Sequence, residues 1–123
     1  MSSTNDGNSL SHGTGTEGAS PLTEIYNSGQ STGTHWLFAG IPSNCAFCGS
    51  STGCVESFNI TSGFPATAAA AFASSGGTSG IVVDNVSTEG HTSSLYYSTV
   101  GVAPCTGGSL GGCAVQVTQA GLK

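Results

Sequence analysis

A chain of 123 residues is the size of one ordinary domain or less, and its charge is scarce and one-sided. The single basic residue, Lys123, stands against six acidic residues, which gives a formal net charge of -5 at pH 7. Because nucleic-acid binding needs Lys and Arg to displace counterions from phosphates, we expect no nucleic-acid partner. The same shortage argues against anionic membrane surfaces, and the apolar stretches are too short to span a bilayer, so we expect no membrane partner.

The first 20 residues are polar and of low complexity, with Gly, Ser and Thr prominent. Such a stretch buries too little apolar surface to offset the entropy that is lost on ordering, so we expect a flexible leader over 1–20 and a β module over 21–123. The leader has neither the basic start nor the apolar core of a signal peptide. We therefore expect a piece of a longer exported protein whose export signal lies outside this chain.

From residue 22 onward, short apolar runs alternate with clusters of Gly, Ser, Thr and Asn, which is typical of strands joined by turns. The run at 81–83 is apolar without alternation and predicts a strand that is buried on both faces. In the last run, Val115 and Val117 are expected to point inward. The sequence predicts an all-β, antiparallel sheet with strands at 22–27, 35–41, 55–60, 81–86, 95–100 and 113–119.

One segment departs from this pattern. Pro65 opens an alanine-rich run that ends at Ala73. Alanine is the best helix former, and proline suits the first helical turn. Phe64, Ala68 and Phe72 would share one helical face. The sequence therefore predicts one short helical insertion in the sheet.

Five cysteines in a small chain rich in Gly, Ser and Thr indicate disulfides and an extracellular or periplasmic location. Cys105 and Cys113 flank a glycine-rich loop that a disulfide would staple. Cys54 is expected to pair with Cys45 or Cys48, which leaves the third cysteine as a free thiol or an intermolecular link. A metal knuckle is the alternative, but zinc needs four ligands at paired spacing, and Cys105 and Cys113 fit that requirement poorly.

Polar residues follow the apolar run at 81–83. Oxygen ligands from Asp84, Asn85 and Glu89 would suit Ca²⁺. Asp84 with His91 would be able to activate a water molecule for ester or lactone hydrolysis. The alternative is that Asp84 and Asn85 only end a strand, because their side chains cap local backbone groups. The cofactor is therefore either none or calcium.

Three aromatic residues, Trp36, Tyr96 and Tyr97, lie within the second and fifth predicted strands. They are the residues from which a platform for stacking carbohydrate rings would be built. Cross-strand packing in the core is the alternative use of the same side chains.

Five segments resemble the C-terminal end of a group of secreted proteins from soil bacteria, notably acidobacteria. The segments are STGTHWLF (31–38), FNIT (58–61), GTSGIVVDN (77–85), SLYYST (94–99) and GCAVQVTQ (112–119). The resemblance covers about residues 20–122 and implies the last one or two blades of a β-propeller. It implies no catalytic residue, because the group has no activity to carry over.

Together these features predict a propeller-blade-like sheet with disulfide-stapled loops. Its expected function is that of a non-catalytic extracellular module, structural or binding, at the end of a larger scaffold. A small secreted hydrolase acting on esters or lactones, with Ca²⁺ as its cofactor, is the first alternative. A filament or surface-assembly subunit is the second, because open sheet edges are templates for pairing with further copies of the chain.

Overall fold

The computed structural model describes residues 21–29, 32–49, 51–85 and 93–118. These residues form antiparallel sheets of four, three and two strands, in the orders β1-β2-β3-β4, β5-β6-β9 and β7-β8. The strands are β1 (Leu22–Asn27), β2 (Thr34–Ile41), β3 (Cys54–Asn59), β4 (Ala70–Ala73), β5 (Val82–Asp84), β6 (Ser94–Ser98), β7 (Ala103–Pro104), β8 (Leu110–Gly111) and β9 (Ala114–Thr118). The prediction of an all-β, antiparallel protein is confirmed.

The six apolar runs correspond to β1, β2, β3, β5, β6 and β9. The prediction that the run at 81–83 is buried on both faces is wrong. Ile81 is 6% exposed, but the next residue, Val82, is 64% exposed. β5 is an edge strand with one covered face, so alternate side chains point toward solvent.

The predicted helical insertion is also wrong. The described residues contain no helix, and Ala70–Ala73 is instead strand β4, which pairs with β3 in the register Glu56↔Ala71. Phe64 and Phe72 remain 47% and 51% exposed, so no apolar helical face is buried. The hydrogen bonds gained along the open side of β3 outweigh the intrinsic helix preference of alanine, which is a weak effect over so few residues. Because the described residues have no helix, none of them forms a helix long and apolar enough to cross a membrane.

One hydrophobic core lies between the four-stranded and the three-stranded sheets. β2 contributes Trp36 and Phe38, β3 contributes Val55, and β6 contributes Leu95 and Tyr97. Val115 and Val117 of β9 pack against this cluster, as their alternation predicted. This core holds the two larger sheets together face to face.

A second core lies on the opposite face of the four-stranded sheet. It contains Ala39 and Ile41 of β2, Cys54 and Phe58 of β3, and Cys45 from the loop between these strands. Both faces of β3 are therefore covered, and all of its residues from Cys54 to Phe58 are buried. A polar residue at any of these positions loses its contact with water.

The two longer β-hairpins are built alike. The first hairpin consists of β2 and β3, and Ile41 lies opposite Cys54 at its closed end. The second hairpin consists of β6 and β9, and the Thr99 N–H donates to the Cys113 carbonyl over 2.9 Å at the corresponding position. In both hairpins a cysteine at the start of the returning segment is bonded to a cysteine in the connecting loop.

Candidate functional site

The loop of the first hairpin brings three cysteines together. Cys45 and Cys54 form a disulfide, and Cys48 is a free thiol. We call Cys45, Cys48 and Cys54 the sulfur cluster, since their sulfur atoms all lie within 4.8 Å of one another. Of the two pairings that the sequence left open for Cys54, the structure has the one with Cys45.

Local backbone geometry explains how the loop reaches this position. Asn44 has φ of 53°, in the left-handed region that asparagine tolerates better than most residues, and its N–H donates to the Ser51 carbonyl over 3.3 Å. Gly53 has φ of 109°, and a Cβ there would lie 2.6 Å from the Pro42 carbonyl oxygen. Only glycine fits such a position, so Gly53 allows the chain to turn directly into Cys54 and β3.

Glu56 is the buried acidic residue of this region. Its side chain points to the same face of β3 as Cys54, because it lies two residues further along the strand. The residues opposite Glu56 on the neighbouring strands are Ala39 and Ala71, whose methyl side chains have no hydrogen-bonding group. Glu56 is 0% exposed, and its Oε2 atom has no hydrogen-bond partner among the described residues.

The surroundings of Glu56 favour its neutral form. Burial raises the pKa of Glu56 from the ordinary value of 4.5 to about 7, because a charge is costly where water is excluded. Its Oε1 atom lies 3.4 Å from Sγ of Cys45 and 3.6 Å from Sγ of Cys54. A disulfide sulfur carries no hydrogen, so any hydrogen bond at this contact is donated by the protonated carboxyl group.

Two kinds of chemistry are open to thiols placed in this way. Thiolates bind zinc, but a disulfide offers no thiolate, and two of the three sulfur atoms are joined to each other. The oxidised cluster therefore holds one zinc-binding thiol rather than three. Exchange between a thiol and a disulfide needs one free thiol beside one disulfide, and the cluster contains both.

The second disulfide joins Cys105 to Cys113, the pair expected from the sequence. The loop that it closes contains β8, which pairs with β7 immediately before Cys105, and Ala103 lies opposite Gly111 in this pair. No third cysteine accompanies it, since the remaining cysteines belong to the sulfur cluster. This disulfide staples a loop and offers no free thiol.

The predicted calcium and hydrolase residues are only partly described. Asp84 is exposed at the end of β5, and the neighbouring Asn85 Oδ1 accepts a hydrogen bond of 2.6 Å from the Ser93 hydroxyl. Glu89 and His91 lie outside the described residues. The calcium site and the Asp84–His91 pair therefore stay predictions, and the Asn85 contact is of the kind that ends a strand.

The three aromatic side chains do not share one surface. Trp36 and Tyr97 are 7% and 5% exposed and belong to the core between the sheets. Tyr96 is 39% exposed and points to the opposite face of β6 from Tyr97. Trp36 and Tyr97 therefore pack in the core, and a stacking platform for carbohydrate rings stays a prediction.

Sequence reasoning missed two features. One is Glu56, which lies within the strand predicted at 55–60, where the local pattern gives no sign that its face of the strand is covered. The other is a surface contact on β1 and β2, where Glu24 Oε1 lies 2.8 Å from Nδ1 of His35. The His35 ring also packs on Tyr26, with 4.7 Å between the ring centroids. The Glu24 and His35 side chains are both about half exposed, so their contact contributes little to stability.

Comparison of the chain with protein-family models, with curated proteins and with solved structures finds no match.

Proposed function

We propose that this chain is a non-catalytic extracellular module, structural or binding, that forms the terminal part of a larger secreted scaffold of propeller-like blades. The observation that carries the proposal is the repetition of one unit. Two hairpins with the same disulfide arrangement lie in two sheets that pack face to face across one core. Repeated units that bury a shared core are the way in which propellers and other arrays are built.

The disulfides support the extracellular part of the proposal. Cys45–Cys54 and Cys105–Cys113 each close a loop, and such bonds persist in oxidising compartments. Small exported modules use them because a small core alone gives limited stability. The module is therefore suited to conditions outside the cell.

The outer edge of β9 is where this module would join its neighbours. Within the described residues, β9 pairs only with β6. In an antiparallel pair, the backbone N–H and C=O groups of every second residue point toward the neighbouring strand. The Cys113 carbonyl accepts a hydrogen bond from the Thr99 N–H, so the backbone groups of Val115 and Val117 also point toward β6. The backbone N–H of Gln116 points to the outer edge instead. In an isolated chain this edge would pair with a second copy of the chain.

The experiment compares Gln116→Pro with Gln116→Ala. Both variants lose the side-chain amide that bonds to Ser94 and Tyr96, but only proline also removes the outward N–H. We expect the wild type and Gln116→Ala to self-associate with increasing concentration in sedimentation-velocity runs, and Gln116→Pro to associate less. A wild type that stays monomeric at every concentration would overturn edge pairing as the mode of assembly.

A further inference from the structure

A free thiol touches a disulfide in the loop of the first hairpin. Sγ of Cys48 lies 2.7 Å from Sγ of Cys45, which is bonded to Sγ of Cys54. Thiol–disulfide exchange begins when a thiolate reaches one sulfur atom of a disulfide. In the sulfur cluster the attacking and the attacked atoms are already in contact.

The carboxyl group of Glu56 lies beside the sulfur atom that would leave. Its Oε1 atom is 3.6 Å from Sγ of Cys54. The side chain is fully buried and its Oε2 atom has no hydrogen-bond partner among the described residues, which is costly for an ionised carboxylate and favours the protonated carboxyl group. A protonated carboxyl group at this distance is placed to give a proton to a departing thiolate.

We propose that the sulfur cluster and Glu56 form a thiol–disulfide exchange centre, in which Cys48 attacks Cys45 and releases Cys54. The Cys48 thiolate forms a bond from its Sγ to Sγ of Cys45, and the Cys45–Cys54 bond breaks. The electron pair of the broken bond goes to Sγ of Cys54, which takes a proton from Glu56. The proton that Cys48 lost restores Glu56, so no external oxidant or reductant is consumed.

The exchange would move the disulfide from one part of the first hairpin to another. Cys54 is fixed in β3, whereas Cys45 and Cys48 both belong to the connecting loop. The original disulfide ties the loop to the sheet, and the new one would lie within the loop. Cys48 is partly exposed while Cys54 is fully buried, so the exchange also moves the bond from the core toward solvent.

The experiment locates the free thiol before and after exchange. Oxidised protein is incubated at neutral pH, quenched in acid, unfolded in acidic denaturant and labelled with N-ethylmaleimide. Peptic fragments, which form in acid without further exchange, are then sequenced by mass spectrometry. We expect the label to divide between Cys48 and Cys54, and protein refolded from the reduced state to reach the same division. Label on Cys48 alone, at every time and from both starting states, would overturn the proposal.

Variants test each part of the mechanism. Cys48→Ser should abolish labelling at Cys54, because the attacking thiol is gone while the Cys45–Cys54 disulfide that holds the fold remains. Cys105 and Cys113 provide an internal control and should stay unlabelled, since no free thiol accompanies them. Labelling of Cys54 in Cys48→Ser would contradict attack by Cys48.

The part of Glu56 is tested by the rate of exchange. Glu56→Gln should slow the appearance of label at Cys54 at least several-fold, and Glu56→Asp, which keeps a carboxyl group, should restore part of the rate. Glu24→Gln, a change of the same kind on the exposed face of β1, should leave the rate unchanged. Equal rates in the wild type and Glu56→Gln would overturn the role of the carboxyl group in proton transfer.

Discussion

Ionisation of Glu56 should make the folded chain less stable as the pH rises from 4.5 to about 7. The side chain is 0% exposed, and burial raises the pKa of Glu56 from 4.5 to about 7. In the unfolded chain the same carboxyl group is solvated and loses its proton near pH 4.5. Between these two values the folded state binds more protons than the unfolded state, so the free energy of unfolding falls as the pH rises.

The size of the effect follows from the two pKa values. Each pH unit between them corresponds to about 1.4 kcal/mol of free energy. Over the interval from pH 4.5 to about 7, the stability lost is about 3 kcal/mol, as an order of magnitude. Below pH 4.5 this group adds no further pH dependence, because it is protonated in both states. Above about pH 7 the loss is complete.

Urea unfolding across this pH range measures the effect, with all disulfides kept intact. The only tryptophan, Trp36, is 7% exposed and reports the core between the sheets through its fluorescence. Glu56→Gln should remove most of the fall in stability, and Glu24→Gln, which changes an exposed carboxyl group, should retain it. An equally steep fall in Glu56→Gln and in the wild type would refute the reasoning.

Three further predictions concern stability. Phe38→Ala should lower the free energy of unfolding, measured by urea unfolding, by about 3–5 kcal/mol, because Phe38 is fully buried in the core between the sheets. A decrease of less than about 1 kcal/mol, as expected for a surface residue, would contradict that placement. Replacing both Cys105 and Cys113 by Ser should lower the free energy of unfolding by about 2–3 kcal/mol in the same assay, because the disulfide restricts a short loop in the unfolded chain. An unchanged free energy of unfolding would contradict this stabilising role of the disulfide. Gly53→Ala should lower the melting temperature more than Gly49→Ala, because a Cβ at Gly53 meets backbone atoms at 2.6 Å while at Gly49 it meets nothing within 4 Å; equal shifts would contradict this difference.

Local sequence patterns were sufficient to predict most of the sheet. The alternation of Val115, Gln116 and Val117 gave both the strand and its inward face, because a strand has a side-chain period of two. The same period places Tyr96 and Tyr97 on opposite faces of β6. Such patterns work where one strand face is buried and the other is solvated.

The wrong predictions concern segments whose structure depends on the strands with which they pair. Ala70–Ala73 reads as helix on propensity alone, and it is a strand because β3 offers an open side. Val82 reads as buried beside Ile81, yet its strand is an edge strand with one covered face. Neither the pairing of Ala70–Ala73 with β3 nor the edge position of β5 can be predicted from the residues near these positions.

The candidate site was predictable only in part. The proximity of Cys45 and Cys48 was visible in their spacing, and the pairing of Cys54 was narrowed to these two. The burial of Glu56 was not visible, because it depends on the loop covering a face of β3 that a solvated strand would expose. A carboxylate on a strand is read as solvent-facing unless the covering segment is known.

The position of the second cysteine in each hairpin has a consequence for change over evolution. Cys54 and Cys113 begin the returning segments, so each disulfide ties the start of a returning segment to its connecting loop. A slip by one residue would exchange the apolar and polar faces of a strand, and the disulfide opposes it by shortening the covalent connection between the two strands. The residues between the paired cysteines lie outside this shortened connection. Except at positions such as Cys48 and Gly53, their composition can diverge, so these two loops are places where new contacts can be acquired without disturbing the two larger sheets.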